Sequence, residues 1–220
     1  MIPLIDTHQH LIYRDISNYS WTKDIPPLAE NSFTIQDYKN LTADLGVGGT
    51  IFMESGVDDP DYQKETSFVH SLFKDPENSL IGLIVSIRPE KDDNFSKDLE
   101  ETIEMGAAGY RRILHVESDD MSKSDTFRKN VRKMGDSGKT FDLCFLEKQL
   151  PVAIELAKAC DNTTLILNHC GVPNIAGDTF ETWSRDIKII SELPNVICKL
   201  SGLMAYCAPG TSSIDTIRPY

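Results

Sequence analysis

The chain has 220 residues, 40% hydrophobic and 25% charged, enough apolar material for one folded domain with a sizeable core, so global disorder is excluded. A net charge of −12 repels phosphates and anionic headgroups, so neither nucleic acid nor membrane is expected as a partner. No apolar run approaches the roughly 20 residues that cross a bilayer, and the opening MIPLIDTHQH has neither a basic nor a long apolar leader region, which points to a cytoplasmic protein.

In chain order, short apolar runs alternate with amphipathic stretches. Strands are expected over residues 2–7, 49–53, 79–86, 109–114, 140–146, 164–169 and 196–200, and helices over 34–45, 61–73, 96–105, 125–134, 147–160 and 180–193. The helix over 147–160 is the clearest, with Leu150, Ile154 and Ala157 on a wide apolar face widened by Val152, Ala153 and Leu156, and with Pro151 in its first turn. Gly106, Gly135 and Gly138 are expected just past helix ends, where positive φ is common. The stretches 13–32 and 171–179 follow strands and read as long loops on the functional face.

Such alternation predicts repeated βα units around a parallel sheet, an α/β fold of the (β/α)₈ TIM-barrel kind or an open doubly wound sheet. Residues 212–220 read as the entry to another helix, with no room for an eighth strand. A barrel without that strand leaves two unpaired edges, which natural proteins avoid. Residues 1–220 are therefore expected to form a single TIM-barrel domain that is C-terminally incomplete. The five cysteines, Cys144, Cys160, Cys170, Cys198 and Cys207, are odd in number, lack C-x-x-C spacing and lie mostly in apolar runs, so they read as reduced, buried thiols.

Chemistry concentrates at strand ends. Asp6, His8 and His10 in I-D-T-H-Q-H share parity, so one side of the first strand presents two imidazoles that can meet a divalent ion; the alternative is a pair of solvated histidines. His169 closes T-L-I-L-N-H-C-G, the place where barrels put catalytic groups, unless it is a hydrogen-bonded core histidine. In G-Y-R-R-I-L-H either Arg111 or Arg112 must face inward. Arg111 is the choice, to meet a substrate carboxylate or lactone carbonyl, with a structural ion pair to a neighbouring carboxylate such as Asp142 as the alternative. His115, further along, could touch substrate or cap the strand. Glu54 ends the second strand and could bind metal or move a proton, and Lys199, if inside a barrel, needs an anionic neighbour. The acidic runs 58–61 and 117–120 read as solvated loops, and His70 as a surface residue.

Taken together, I-D-T-H-Q-H, G-Y-R-R-I-L-H, G-K-T-F-D-L-C-F, Q-L-P-V-A-I-E-L-A, L-I-L-N-H-C-G-V-P and L-P-N-V-I-C-K-L-S-G-L resemble the amidohydrolase-related family of metal-dependent TIM-barrel hydrolases, in its sugar-acid lactonase branch. The resemblance runs from Ile5 to about Tyr220 and implies hydrolysis of a sugar-acid lactone or similar cyclic ester. It implies His8, His10 and His169 as metal ligands, His169 also as catalytic, and Arg111 as substrate-binding. His115, Glu54 and Lys199 are further candidates for touching substrate. It also implies a zinc or manganese cofactor, although metal use varies among such lactonases. The family's final-strand aspartate, in a G-S-D-W-P-like motif, is absent here. A decarboxylase of an unsaturated or aromatic acid is the alternative within the enzyme class, and a non-catalytic binding module or inactive fragment the alternative outside it. The expected partner is a small anionic or polyhydroxylated lactone, and a homo-oligomer is compatible with the sequence.

Overall fold

A computed structural model describes residues 4–177 and 179–220. It divides into two compact units, Met1–Ile87 with Ser96–Arg111, and Arg88–Phe95 with Arg112–Tyr220. Residues 2 and 3 of the first expected strand lie outside the described residues.

The first unit is built from β1 (Leu4–Gln9), α1 (Ile35–Thr42), β2 (Val47–Met53), α2 (Tyr62–Phe73), β3 (Leu80–Ser86), most of α3 (Phe95–Glu104) and β4 (Ala107–Ile113) as far as Arg111. Parallel pairing joins β1 to β2, β2 to β3 and β3 to β4, so spatial order follows chain order. The β3 sequence LIGLIVS is a nearly continuous apolar run, as a strand covered on both faces requires, and Leu83 and Val85 are almost fully buried. The start of α1 is fixed by a capping box: Thr34 Oγ1 accepts from the Asp37 N–H, and Asp37 Oδ2 accepts from the Thr34 N–H at 2.8 Å. On β1, Leu4 and Ile5 are exposed, because the residues that pack this strand sit nearer its C-terminal end.

The second unit contains α4 (Asp119–Lys123), α5 (Asp125–Asp136), β5 (Thr140–Cys144), α6 (Leu150–Ala159), β6 (Leu165–Leu167), α7 (Phe180–Ser191), β7 (Val196–Cys198) and α8 (Ile214–Ile217). Here β5 pairs with β6 and β6 with β7, again all parallel. The apolar face expected of α6 is what packs: Leu150, Ala153, Leu156 and Ala157 are all fully buried. Three-residue helical turn Glu147–Gln149 precedes it, because the Gln149 side chain accepts from the Leu146 N–H and turns the chain before Pro151. Trp183 of α7 docks by donating its indole N–H to the Cys170 carbonyl at 2.8 Å.

Several expectations need correction. Gly135 lies inside α5 rather than past its end; it is a glycine because a Cβ there would fall 2.7 Å from the Asn162 carbonyl oxygen. The run 117–120 is partly helical, since Ser118 and Ser124 cap α4 and α5 in succession. Asp61 is buried, and Asn18 donates to it twice, while Lys64 pairs with it at 2.7 Å. His70 is half-buried, its Nδ1 2.7 Å from the Met105 carbonyl. All five cysteines are free thiols, but Cys198 is exposed and Cys207 half-buried; only Cys144, Cys160 and Cys170 are buried. Among the described residues no helix is long and apolar enough to cross a membrane.

Candidate active site

In the first unit the end of β1 realises the parity read from I-D-T-H-Q-H. Gln9 turns into the interior, where it is buried and accepts from the Thr50 hydroxyl at 3.2 Å. His8 and His10 take the other side, their ring centroids 4.8 Å apart and nearly edge-to-face. Asp6 is a clamp: Oδ1 accepts from the His8 N–H at 2.9 Å and Oδ2 from the Tyr38 hydroxyl of α1 at 2.7 Å. His10 Nδ1 lies 3.1 Å from the Met53 carbonyl at the end of β2, which orients the ring and leaves Nε2 directed elsewhere.

Arg111, buried on β4, brings a cation to the same place. Its Nε donates to Glu54 Oε1 at 2.5 Å and its Nη2 to the Glu54 carbonyl at 2.7 Å, while Nη1 stands 3.5 Å from His8 Nε2. Glu54 Oε2 in turn accepts from the Gly56 N–H at 2.9 Å. The inward arginine is therefore Arg111, and it makes the buried ion pair with a neighbouring carboxylate that the alternative reading foresees, the carboxylate being Glu54. Glu54 thus holds both the guanidinium and the turn.

Sequence reasoning passed over Glu65, on α2, which is buried and accepts from the Ser55 N–H at 3.0 Å. Burial, and next the neighbouring Glu54 carboxylate, push its carboxyl up to about 8, against the hydrogen bond from Ser55 and the Arg111 charge, which pull it down. A glutamate three positions into a helix that starts with an acidic run carries no signal of burial in its own sequence.

The second unit holds the other expected residues. His169 sits past the end of β6 in the turn Asn168–Gly171, with φ 53°, and its Nδ1 is 2.8 Å from Ser201 Oγ. Gly202, at φ +72°, lets the chain pass close beside this ring, and Tyr206 presents a ring 6.3 Å from it. Asp142 of β5, fully buried, accepts on Oδ1 from Lys199 Nζ at 2.8 Å and from Asn168 Nδ2 at 2.6 Å. This is the anionic neighbour that Lys199 needs. His115 is exposed beyond β4, its Nδ1 3.3 Å from Cys144 Sγ.

As a metal centre, the first unit supplies two imidazoles, and His10 is oriented as a ligand would be. Among the described residues no group of three His, Cys, Asp or Glu side chains could hold a metal ion, whereas catalytic zinc uses three protein ligands. Two donors fit; a closed ligand set is not formed.

The fold class follows from comparison with solved structures. The chain superposes on an amidohydrolase from Burkholderia multivorans with bound zinc at a TM-score of 0.85 and 21% identity, covering 98% of this chain and 76% of that one. It also superposes on a probable 2-pyrone-4,6-dicarboxylic acid hydrolase from Acinetobacter baumannii with citric acid bound, at a TM-score of 0.77 and 14% identity, covering 99% of this chain and 76% of that one. The α/β fold is thus of the TIM-barrel type expected from its alternating elements. The Amidohydrolase family model matches residues 5–220, and the chain belongs to that family. Among curated relatives, an L-fucono-1,5-lactonase from Burkholderia ambifaria is 23% identical over 98% of this chain and 73% of its own length.

Proposed function

We propose that the protein is a hydrolase that opens a sugar-acid lactone, or a cyclic ester of similar polarity, by attack of water on the ester carbonyl. The observation that carries this reading is the approach of Arg111 Nη1 to within 3.5 Å of His8 Nε2 at the end of β1, beside the His10 ring. A fixed cation next to a proton-accepting ring is what ester hydrolysis asks for: one group to stabilise negative charge on the carbonyl oxygen, another to take the proton of the attacking water. The name of the Burkholderia ambifaria relative supports a sugar-acid lactone as the class of substrate.

In this reading Arg111 donates to the carbonyl or carboxylate oxygen of the substrate, held in place by its two bonds to Glu54. An imidazole of the His8–His10 pair accepts the proton of water as its oxygen bonds to the carbonyl carbon. The ring C–O bond then breaks, and the departing oxygen takes a proton, for which His169 is the proposed donor, oriented by Ser201. Lys199 and His115 are proposed to contact substrate hydroxyl or carboxylate groups. The acid–base steps just given describe the metal-free protein; were zinc or manganese bound, His8 and His10, with His169 as implied by the family resemblance, would be its donors rather than carry protons, and the cation would supply Lewis-acid polarisation of the carbonyl and acidify the attacking water. Support for the metal comes from the zinc of the Burkholderia multivorans structure.

The test is acid release from L-fucono-1,5-lactone at neutral pH, followed with a pH indicator and corrected for spontaneous opening. Acid formation that disappears in Arg111→Met supports the proposal. Release of carbon dioxide from an aromatic carboxylic acid, with no lactone opening, would move the assignment to a decarboxylase. Lactone binding without turnover would make the chain a binding module.

A further inference from the structure

Glu54, Glu65 and Arg111 form a buried cluster of two carboxyl groups and one guanidinium, each residue less than a twentieth exposed. Arg111 spends two donors on Glu54. Glu65 Oε1 accepts from the Ser55 N–H, while Glu65 Oε2 is buried with no hydrogen-bond partner among the described residues. The groups that face Glu65 electrostatically are the Glu54 carboxylate, the Arg111 guanidinium and, from the loop after β1, the Tyr19 hydroxyl. An ionised Glu65 would place a second negative charge beside one cation and leave a charged oxygen unsolvated, a combination that burial disfavours strongly.

We propose that Glu65 is a positioning residue that stays protonated beside the Glu54–Arg111 pair and thereby sets how much positive charge Arg111 presents towards His8. With Glu65 neutral, these three residues carry one negative and one positive charge, and Nη1, 3.5 Å from His8 Nε2, keeps its pull on an electron-rich atom. Loss of the proton makes the cluster net negative, weakening that pull. The direction of the Glu65 shift, upward through burial and through Glu54, agrees with this arrangement. Where turnover is used as a readout, the inference rests on the lactone-hydrolase reading; the proton itself can be followed without any substrate.

The experiment is a pH titration of the intact protein labelled with ¹³C at glutamate carboxyl carbons and followed by NMR. One glutamate signal is expected to titrate near pH 8, to vanish in Glu65→Gln, and to move down by at least one pH unit in Glu54→Gln. If Glu65→Gln does not fold, the shift in Glu54→Gln makes the assignment. A full set of glutamate signals titrating below pH 6 overturns the proposal, whatever the enzyme does to lactones. With L-fucono-1,5-lactone as substrate, KM is expected to rise severalfold from pH 7 to pH 9 in the wild type and to stay level in Glu65→Gln. A KM rise that persists in Glu65→Gln removes Glu65 from the positioning of Arg111. A carboxyl that titrates near pH 8 in a protein that opens no lactone supports the proton on Glu65 and sinks the hydrolase reading alone.

Discussion

Gly202 lies so close to His169 that a Cβ added to it would come within 2.9 Å of the imidazole Nδ1, the atom that faces Ser201 Oγ. The same glycine has φ +72°, where an L side chain is strained. Gly202→Ala is therefore expected to destabilise the fold by about 1–3 kcal/mol and to lower kcat by displacing His169. Urea unfolding and steady-state kinetics on one preparation check both. Wild-type kcat in a folded Gly202→Ala would detach His169 from the reaction.

Arg111→Lys keeps the charge but cannot make the paired Nε and Nη2 bonds to Glu54. The loss in kcat/KM is expected to be on the order of 10²- to 10³-fold, the scale of removing one oxyanion donor. A value near wild type would show that charge alone suffices and that the guanidinium geometry is incidental.

Protonation of Glu65 has a consequence for stability as well as for binding. A carboxyl held at about 8 in the folded state and near its ordinary 4.5 when unfolded takes up protons more readily in the native protein. Its contribution is complete below the unfolded value and is lost as pH rises through the folded one, with a slope of up to about 1.4 kcal/mol per pH unit between them. Urea midpoints measured at pH 5.5 and pH 7.5 should fall more steeply with pH in the wild type than in Glu65→Gln. Parallel slopes would mean that the two states bind this proton equally.

Elemental mass spectrometry of the purified protein, set against a His8→Ala, His10→Ala double variant, tests the cofactor. About one zinc or manganese per chain in the wild type, absent from the variant, is the expected result, in line with two imidazoles meeting one ion. Equal metal in both proteins would place the ion elsewhere.

Leu156, fully buried on α6, gives a control in the apolar core, at a residue with no proposed role in the reaction. Leu156→Ala should cost about 2–5 kcal/mol in urea unfolding. A smaller loss would indicate that the core around α6 closes over the cavity.

The seven expected strands were legible because parallel strands under helices carry short apolar runs, most continuous in LIGLIVS, and the amphipathic period marks what lies between them. Boundaries slipped where side chains rather than hydropathy decide. The apolar run 164–169 predicts a strand through His169, but β6 ends at Leu167, since His169 and Cys170 take positive φ, which neither residue type announces. Spacing alone placed His8 and His10 together and turned Arg111 inward. It could not choose Glu54 as the partner of Arg111, because that contact joins residues 57 apart in the chain, nor find Glu65, whose burial no residue type around it announces. His70 was misplaced for the same reason: its partner is the Met105 carbonyl, 35 residues on.

The two imidazoles owe their meeting to the pleat of β1, which sends Gln9 inward towards Thr50 between them. The loop after this strand can lengthen or shorten without disturbing that alternation. Losing or gaining one residue between Asp6 and His10 would exchange the faces, burying an imidazole against Thr50 and turning an amide out in its place. The tolerance of the protein to insertions should therefore drop abruptly at Asp6, where Tyr38 anchors the carboxylate that also holds the His8 backbone.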